Sequence, residues 1–445
     1  MFKQIYSKTL ENIILPFGDK LEGGDFMRWL RQYRTEQWLS ANELNKIQQQ
    51  RLTDILNFAQ ANIPFYKSIE SKSDNPFENI KHFPILSKTK INENLDILLA
   101  KPKESLVAES SSGSSGIQGT VYMDKSAQAS QRAMQMLWFE WSGYQMGDSI
   151  LQTGMTLNRG FIKRAKDLLL DTEYIPAFNL DPESINAVLK KIENSPRQYL
   201  FGYASSLYVL AQTAQDLGIS NIQFDYAVSW GDKLFPHYRE KIREVFNCET
   251  IDTYGCTEGA MIAAQCRQGK FHLSTNQCFI EIVDDEGNAV PNGQIGKVLA
   301  TRLDNFAMPL IRYYLGDLAI LETPDNQFCG CGRQSPLLRQ VVGRDTDIVR
   351  TRSGKQMIVH FFTAIFEFIP EIRQFKVVQK NLDGIEIHYI PGESFNSNVL
   401  ENIENKIHTH LQEKFPISWV KTSSIEPTRS GKPQIIQSFL EQTLR

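Results

Sequence analysis

Short β-forming segments alternate with helical runs along most of this chain, and that alternation narrows the folds open to it more than any other feature. Asp225 to Ser229, Phe279 to Val283 and Lys297 to Thr301 are short, rich in β-formers and bounded by Gly, Pro or Asp, which suits strands. Helical patterns run from Ala127 to Trp141 and, separated by polar turns, between Asp167 and Leu217. Nearer the start, Ser40 and Glu43 form a capping box. Leu44, Ile47, Ile55, Leu56 and Ala59 then recur at helical spacing until Asn62-Ile63-Pro64 stops the helix. Mixed α/β is the natural class. After Gly343-Arg344 the pattern changes to a strand from Gln374 to Gln379, another from Ile385 to Ile390, and a helix from Asn398 to Gln412. That is the content of a small α+β unit of about a hundred residues. The chain therefore divides into a large N-terminal domain, residues 1–344, with mixed sheets and helices, and a small C-terminal α+β domain, residues 345–445; no internal repeat is seen.

At 445 residues with 41% hydrophobic content the chain can bury a large core and exceeds one ordinary domain. Its 48 basic and 51 acidic residues give a net charge of -3 with no long like-charge run, which argues against nucleic acid or another polyanion as partner. The start, Met1-Phe2-Lys3-Gln4-Ile5-Tyr6, lacks the apolar core of a signal peptide, and no stretch approaches the roughly 20 apolar residues of a membrane span. A cytoplasmic protein is expected. Six cysteines are too few for a disulfide scaffold in a chain of this length.

Glu109-Ser110-Ser111-Ser112-Gly113-Ser114-Ser115-Gly116-Ile117-Gln118-Gly119-Thr120 packs hydroxyls and glycines between two strand-like segments, Leu106 to Ala108 and Thr120 to Met123. Glycines let several backbone N–H groups converge on an anion while serine hydroxyls add donors, so the loop can hold a phosphate; a flexible linker is the other reading. No Gly-Lys-Ser/Thr closes it, which disfavours a Walker-type NTPase. Five segments follow in order: Ser229-Trp230-Gly231-Asp232, Tyr254-Gly255-Cys256-Thr257-Glu258, Arg312-Tyr313-Tyr314-Leu315-Gly316-Asp317, Gly343-Arg344-Asp345-Thr346-Asp347 and Ser430-Gly431-Lys432. Singly each has a plain alternative. Thr257-Glu258 reads equally as a helix start, Gly316-Asp317 as a hairpin turn, and Ser430-Gly431-Lys432 as an exposed loop. Together, each alternative would have to hold separately.

In order and spacing these segments resemble the adenylate-forming ligase superfamily, and more closely the phenylacetate-coenzyme A ligase family in its capsule- and polysaccharide-associated branch. The resemblance runs from Ile63-Pro64-Phe65-Tyr66 through Phe201-Gly202-Tyr203-Ala204-Ser205-Ser206 to Lys432. It implies attack of a carboxylate on the α-phosphate of ATP, release of pyrophosphate, and transfer of the acyl group from acyl-AMP to a thiol. The acceptor is coenzyme A, a phosphopantetheine carrier protein, or an amine or hydroxyl on a saccharide. On this resemblance Ser111, Ser112, Gly113, Ser114, Ser115 and Gly116 cradle phosphates and Glu258 holds magnesium. Lys432 reaches the α-phosphate and the carboxylate, Asp317 accepts from the ribose hydroxyls with Arg344 beside it, and Gly231, Asp232, Tyr254, Gly255 and Thr257 border the nucleotide. Lys432, Glu258 and Arg344 are the catalytic candidates. The small domain is implied to be a mobile lid turning about Asp345 to Asp347, and a homodimer is admitted. The chain departs from the family at Ser115 (often threonine), Ile117-Gln118 (a lysine is common), Asp232 (often glutamate) and Tyr314-Leu315 (often arginine-threonine). A degenerate nucleotide-binding scaffold is the contrasting reading, opposed by the retained Glu258, Asp317, Arg344 and Lys432.

Two further groups stand out. Cys266, His272, Cys329 and Cys331 supply three thiols and an imidazole, a set that structural zinc accepts. Their spacing also fits reduced surface cysteines beside a loop histidine. The other histidines are scattered, and Cys248, Cys256 and Cys278 read as ordinary. Trp138, Phe139, Trp141 and Tyr144 fall where the resemblance implies an acyl pocket suited to an aryl or arylalkyl acid, while an aromatic helix face is also ordinary core.

Overall fold

The computed structural model describes residues 2–111, 119–154, 160–177, 182–344, 348–366, 369, 371–392, 394–426 and 434–440. The strand-like segments flanking the Ser/Gly run pair with each other: β1 (Val107–Ser111) and β2 (Gly119–Met123) form an antiparallel ladder that ends at Ser111 opposite Gly119. The helix Lys125–Trp141 leaves β2 directly, its first turn capped by the Asp124 carboxylate accepting from the Ala127 N–H. The Ser40/Glu43 capping box is present at the head of the helix Ala41–Asn62.

The main sheet has 11 strands. Its first half is parallel: β3 (Ile150–Gly154), β4 (Thr172–Pro176), β5 (Tyr199–Tyr203), β6 (Tyr226–Trp230) and β7 (Glu249–Gly255), in the order β4-β3-β5-β6-β7. Each crossover carries a helix: Phe161–Leu169, Pro182–Asn194, Ala204–Asp216 and Pro236–Phe246. Parallel strands need crossovers, so the α/β alternation read from the sequence lies here. The second half is antiparallel: β8 (Met261–Gln265), β9 (Phe271–Leu273), β10 (Cys278–Val283), β11 (Ile295–Arg302), β12 (Tyr313–Leu321) and β13 (Leu337–Arg344). From β7 the order continues β8-β9-β13-β12-β11-β10. The sheet changes from parallel to antiparallel at β7, whose end carries the Tyr254–Glu258 segment.

Past Arg344, β14 (Ile348–Arg350) pairs with β15 (Gln356–Ile358). A separate four-stranded sheet holds β16 (Ile372–Asn381), β17 (Gly384–Pro391), β18 (Ile417–Lys421) and β19 (Ile436–Ser438), in the order β18-β17-β16-β19. The helix Asn398–Leu411 buries Val399, Ile403, Ile407 and Leu411, spaced at four, four and four residues, among Val377, Ile385 and Ile387. This core is distinct from those of the main sheet, with Phe235, at the head of the helix Pro236–Phe246, buried within it and Tyr238 packed against it. Among the described residues no helix is long and apolar enough to cross a membrane.

Candidate active site

Ligands of open α/β sheets bind beyond the carboxyl ends of parallel strands, and two of the motifs leave those ends. β6 runs into Gly231-Asp232 and β7 into Cys256-Thr257-Glu258. Gly231 has φ +80, and a Cβ there would lie 2.4 Å from the Tyr203 ring, so the turn requires glycine. Asp232 accepts a hydrogen bond from the Ser205 N–H at 3.1 Å in the first turn of the helix Ala204–Asp216, so it ties β6 to that helix's N-terminus. Thr257-Glu258 does not start a helix. It sits in a tight turn between β7 and β8, closed by the Cys256 N–H on the Ala260 carbonyl and the Gly259 N–H on the Cys256 carbonyl. Gly255 and Thr257 are exposed while Glu258 is buried.

Glu258 is the most developed charged position. The Tyr313 hydroxyl donates to its Oε1 at 2.7 Å, and the Lys88 ammonium lies 3.5 Å from the same oxygen. Burial pushes the carboxyl up, but Lys88 and the Tyr313 hydroxyl outweigh it and hold the group below the ordinary carboxylate value. Beside it, burial and the Glu258 charge push the Cys256 thiol well up, so it stays protonated. Lys88 opens the short helix Lys88–Glu93. That helix is anchored to β12 by the Leu86 N–H on the Arg312 carbonyl (3.1 Å) and the Tyr314 N–H on the Leu86 carbonyl (2.8 Å). Nothing local in the sequence connects Lys88 with a glutamate 170 positions on. Tyr313 lay inside a motif already singled out, but its partner did not show.

A second constellation forms across β12 and β13, where Asp317 and Arg344 are register partners. Arg344 Nε lies 3.1 Å from Asp317 Oδ1, the Tyr254 hydroxyl donates to Asp317 Oδ2 at 2.9 Å, and Arg344 Nη1 donates to the Leu315 carbonyl at 2.7 Å. Gly316, with φ +76, lies inside β12 rather than in a hairpin turn. Arg312, the first residue of this motif, is structural: it is buried against Glu281 at 3.1 Å and donates to the Gly287 carbonyl at 2.7 Å. Of the sequence candidates, Gly231, Asp232, Tyr254, Gly255, Thr257 and Glu258 come to the ends of β6 and β7, while Asp317, in mid-β12, meets Arg344 at the end of β13. Backbone pairing places Ser111 at the end of β1. Ser112, Gly113, Ser114, Ser115 and Gly116, the hinge Asp345 to Asp347, and Ser430-Gly431-Lys432 lie outside the described residues.

The aromatic candidates divide. Phe139 is half-buried at the edge of the core that holds Trp138, 4.5 Å from Phe201 and 5.7 Å from Trp230 between ring centres. Trp138 and Trp141 are core, packed with Met27, Leu30 and Tyr33.

The four metal-ligand candidates converge: the donor atoms of Cys266, His272, Cys329 and Cys331 all lie within 4.8 Å of one another. Cys266 and Cys329 sulfurs are 3.6 Å apart, and Cys331 Sγ lies 3.3 Å from His272 Nε2. A tetrahedral zinc with Zn–S bonds of about 2.3 Å spaces its sulfurs about 3.8 Å apart, so the donor set fits that ion. Ser335 Oγ, 3.3 Å from His272 Nδ1, leaves Nε2 toward the thiols. Burial, then the Arg333 charge, push the imidazole down to about 4, so it stays neutral as a metal ligand requires. Arg333 is itself stacked between Trp38 and Trp141, at 4.7 and 4.1 Å from their ring centres.

No protein-family model matches the chain. It is 24% identical over 422 residues to Protein CapK of Staphylococcus aureus, covering 89% of each chain. To a phenylacetate-coenzyme A ligase of Thermus thermophilus it is 24% identical over 373 residues, 75% of this chain and 77% of that one. The chain is thus similar to adenylate-forming ligases of the phenylacetate-coenzyme A ligase type along most of its length. The fold agrees. The crystal structure of 2-hydroxyisobutyryl-CoA ligase in the postadenylation state with 2-HIB-AMP matches with a TM-score of 0.72 at 19% identity, covering 90% of this chain and 91% of that one. The same enzyme with 2-HIB-AMP and CoA in the thioesterification state gives a TM-score of 0.59. These likenesses extend over the mixed α/β fold described above.

Proposed function

We propose that the protein is an AMP-forming acid–thiol ligase. A carboxylate oxygen attacks the α-phosphorus of ATP and pyrophosphate leaves; a thiol, that of coenzyme A, then attacks the acyl carbon of the acyl-AMP and AMP leaves. The observation that carries this reading is the pair of constellations: Glu258, buried and ionised, beside Asp317 bound to Arg344 and Tyr254. In this assignment Glu258 holds magnesium, which neutralises charge on the phosphates; an ionised carboxylate oxygen suits that hard cation. Asp317 takes the ribose hydroxyls, Arg344 orients it, and Tyr254 borders the adenine. Ser111, the Ser112–Gly116 segment and Lys432 take the phosphate roles that the family resemblance assigns. Cys266, His272, Cys329 and Cys331 hold structural zinc. Phe139 and Trp230 favour an aryl or arylalkyl acid by offering ring faces. Residues 345–445 act as the lid, and these substrates place the reaction in the cytoplasm.

The test is carboxylate-dependent exchange of labelled pyrophosphate into ATP over a panel of aryl, fatty and amino acids. Exchange with one acid class supports the assignment; none with any acid, despite ATP binding, overturns it. A carrier-protein phosphopantetheine presents the same thiol as coenzyme A, and comparing acyl release to each separates the two acceptors.

A further inference from the structure

The helical run from Phe2 to Glu22, with π-helical geometry at Leu10–Ile14, and the crossover helix Phe161–Leu169 abut where the Tyr6 hydroxyl donates to the Leu169 carbonyl at 2.8 Å. Both carry large apolar side chains in the open. Ile13, Phe17 and Leu21, spaced four residues apart, are 65%, 64% and 73% exposed, and Phe161 and Leu168, seven apart, are 87% and 84% exposed. Spacings of four and seven keep each set on one helix face. Exposed single apolar residues are ordinary; five large ones on two abutting helices are not.

The charges on the same helices are sorted. Among their described side chains every exposed charged one is a cation: Lys3, Lys8, Lys20, Lys163, Arg164 and Lys166. The described acids, Glu11, Asp19 and Asp167, are half-buried. Glu11 pairs with Arg34 at 2.7 Å, and Asp19 accepts from the Met27 N–H at 2.8 Å. Apolar side chains flanked mainly by cations complement a surface that is apolar inside and anionic outside. A second copy of the chain would instead set cation against cation across a self-complementary contact.

We propose that the helices Phe2–Glu22 and Phe161–Leu169 form a peripheral docking face for an anionic lipid bilayer, into which Phe17, Leu21, Phe161 and Leu168 insert while the cations meet the headgroups. The face is independent of the ligase assignment. It lies on the N-terminal helices and at the β4 edge of the main sheet, whereas Glu258 and Asp317 lie at β7 and β12.

Co-sedimentation of the full chain with phosphatidylcholine vesicles, with and without phosphatidylglycerol, tests this. Binding is expected only with the anionic lipid, weakening as salt is raised. It should fall at least tenfold in Phe17→Ser/Leu21→Ser and in Phe161→Ser/Leu168→Ser. Lys163→Gln and Arg164→Gln, at exposed positions, should each lower it about fivefold with the melting temperature unchanged. Absence of binding that depends on phosphatidylglycerol overturns the proposal. So does a concentration-dependent dimer that the apolar substitutions dissociate, which would assign the face to a second copy.

Discussion

Burial alone would drive the Glu258 carboxyl toward its neutral form, and a neutral carboxyl neither binds a metal cation nor balances Lys88. The Tyr313 hydroxyl and the Lys88 ammonium reverse that tendency. Glu258→Gln keeps the shape and the Tyr313 contact but removes the charge. Pyrophosphate exchange should drop about 10²–10³-fold with the circular dichroism spectrum unchanged; a loss of less than tenfold would mean that Glu258 is not part of the reaction. Asp252 illustrates the opposite balance. Burial pushes its carboxyl up to about 7, despite the Ser229 hydroxyl donating to it at 2.7 Å and the charge of Arg239. A folded pKa above the unfolded value of about 3.9 means that the native state binds the extra proton, so the stability this group contributes is present below pH 4 and is lost as pH rises through 7. Asp252→Asn should therefore melt higher than the parent at pH 8, with a much smaller difference at pH 4, read by thermal scans. A gap of equal size at both pH values would refute the titration. Gly259 has its own constraint: at φ +91, a Cβ would fall 2.0 Å from the buried Arg302 guanidinium.

The cysteine and histidine donors come from three different elements: the turn after β8, β9 itself, and the loop between β12 and β13. An ion that ties these pieces together would act as a clip at the antiparallel half of the sheet. Purified protein should contain one zinc per chain. Cys331→Ser should lose it and lower the melting temperature by on the order of 5 °C, with a strong chelator doing the same to the parent. Metal-free protein that melts at the same temperature with and without chelator would leave the four donors as a hydrogen-bonded cluster. At the same scale, the helix Lys88–Glu93 does more than continue the chain: through its backbone bonds to β12 it brings a cation to the turn after β7.

Across the whole molecule, the small four-stranded unit carries its own core, while Lys432 and the adenylate constellations belong to opposite sides of the Gly343-Arg344 boundary. If the unit turns between the two half-reactions, Lys432→Ala should cut pyrophosphate exchange by at least a hundredfold and leave transfer from pre-formed acyl-AMP to coenzyme A within about threefold. Equal losses in both would exclude a two-position lid. Much of this architecture is legible in the sequence because it rests on local signals. The Ser40/Glu43 cap, the apolar spacing of Asn398–Leu411, and the β-rich runs that became β6, β10 and β11 each depend on residues a few positions apart. Motif order carries the family for the same reason, since order along a chain survives without knowledge of contacts. Tertiary structure alone decides what is settled by contact between distant segments. Lys88 reaches Glu258, Tyr254 reaches Asp317, and the thiols of Cys266 and Cys329 meet across 63 residues, because the antiparallel half of the sheet is ordered out of sequence. The charge state of Glu258 belongs with these. Burial and a neighbouring ammonium set it, and a sequence specifies neither until it is folded.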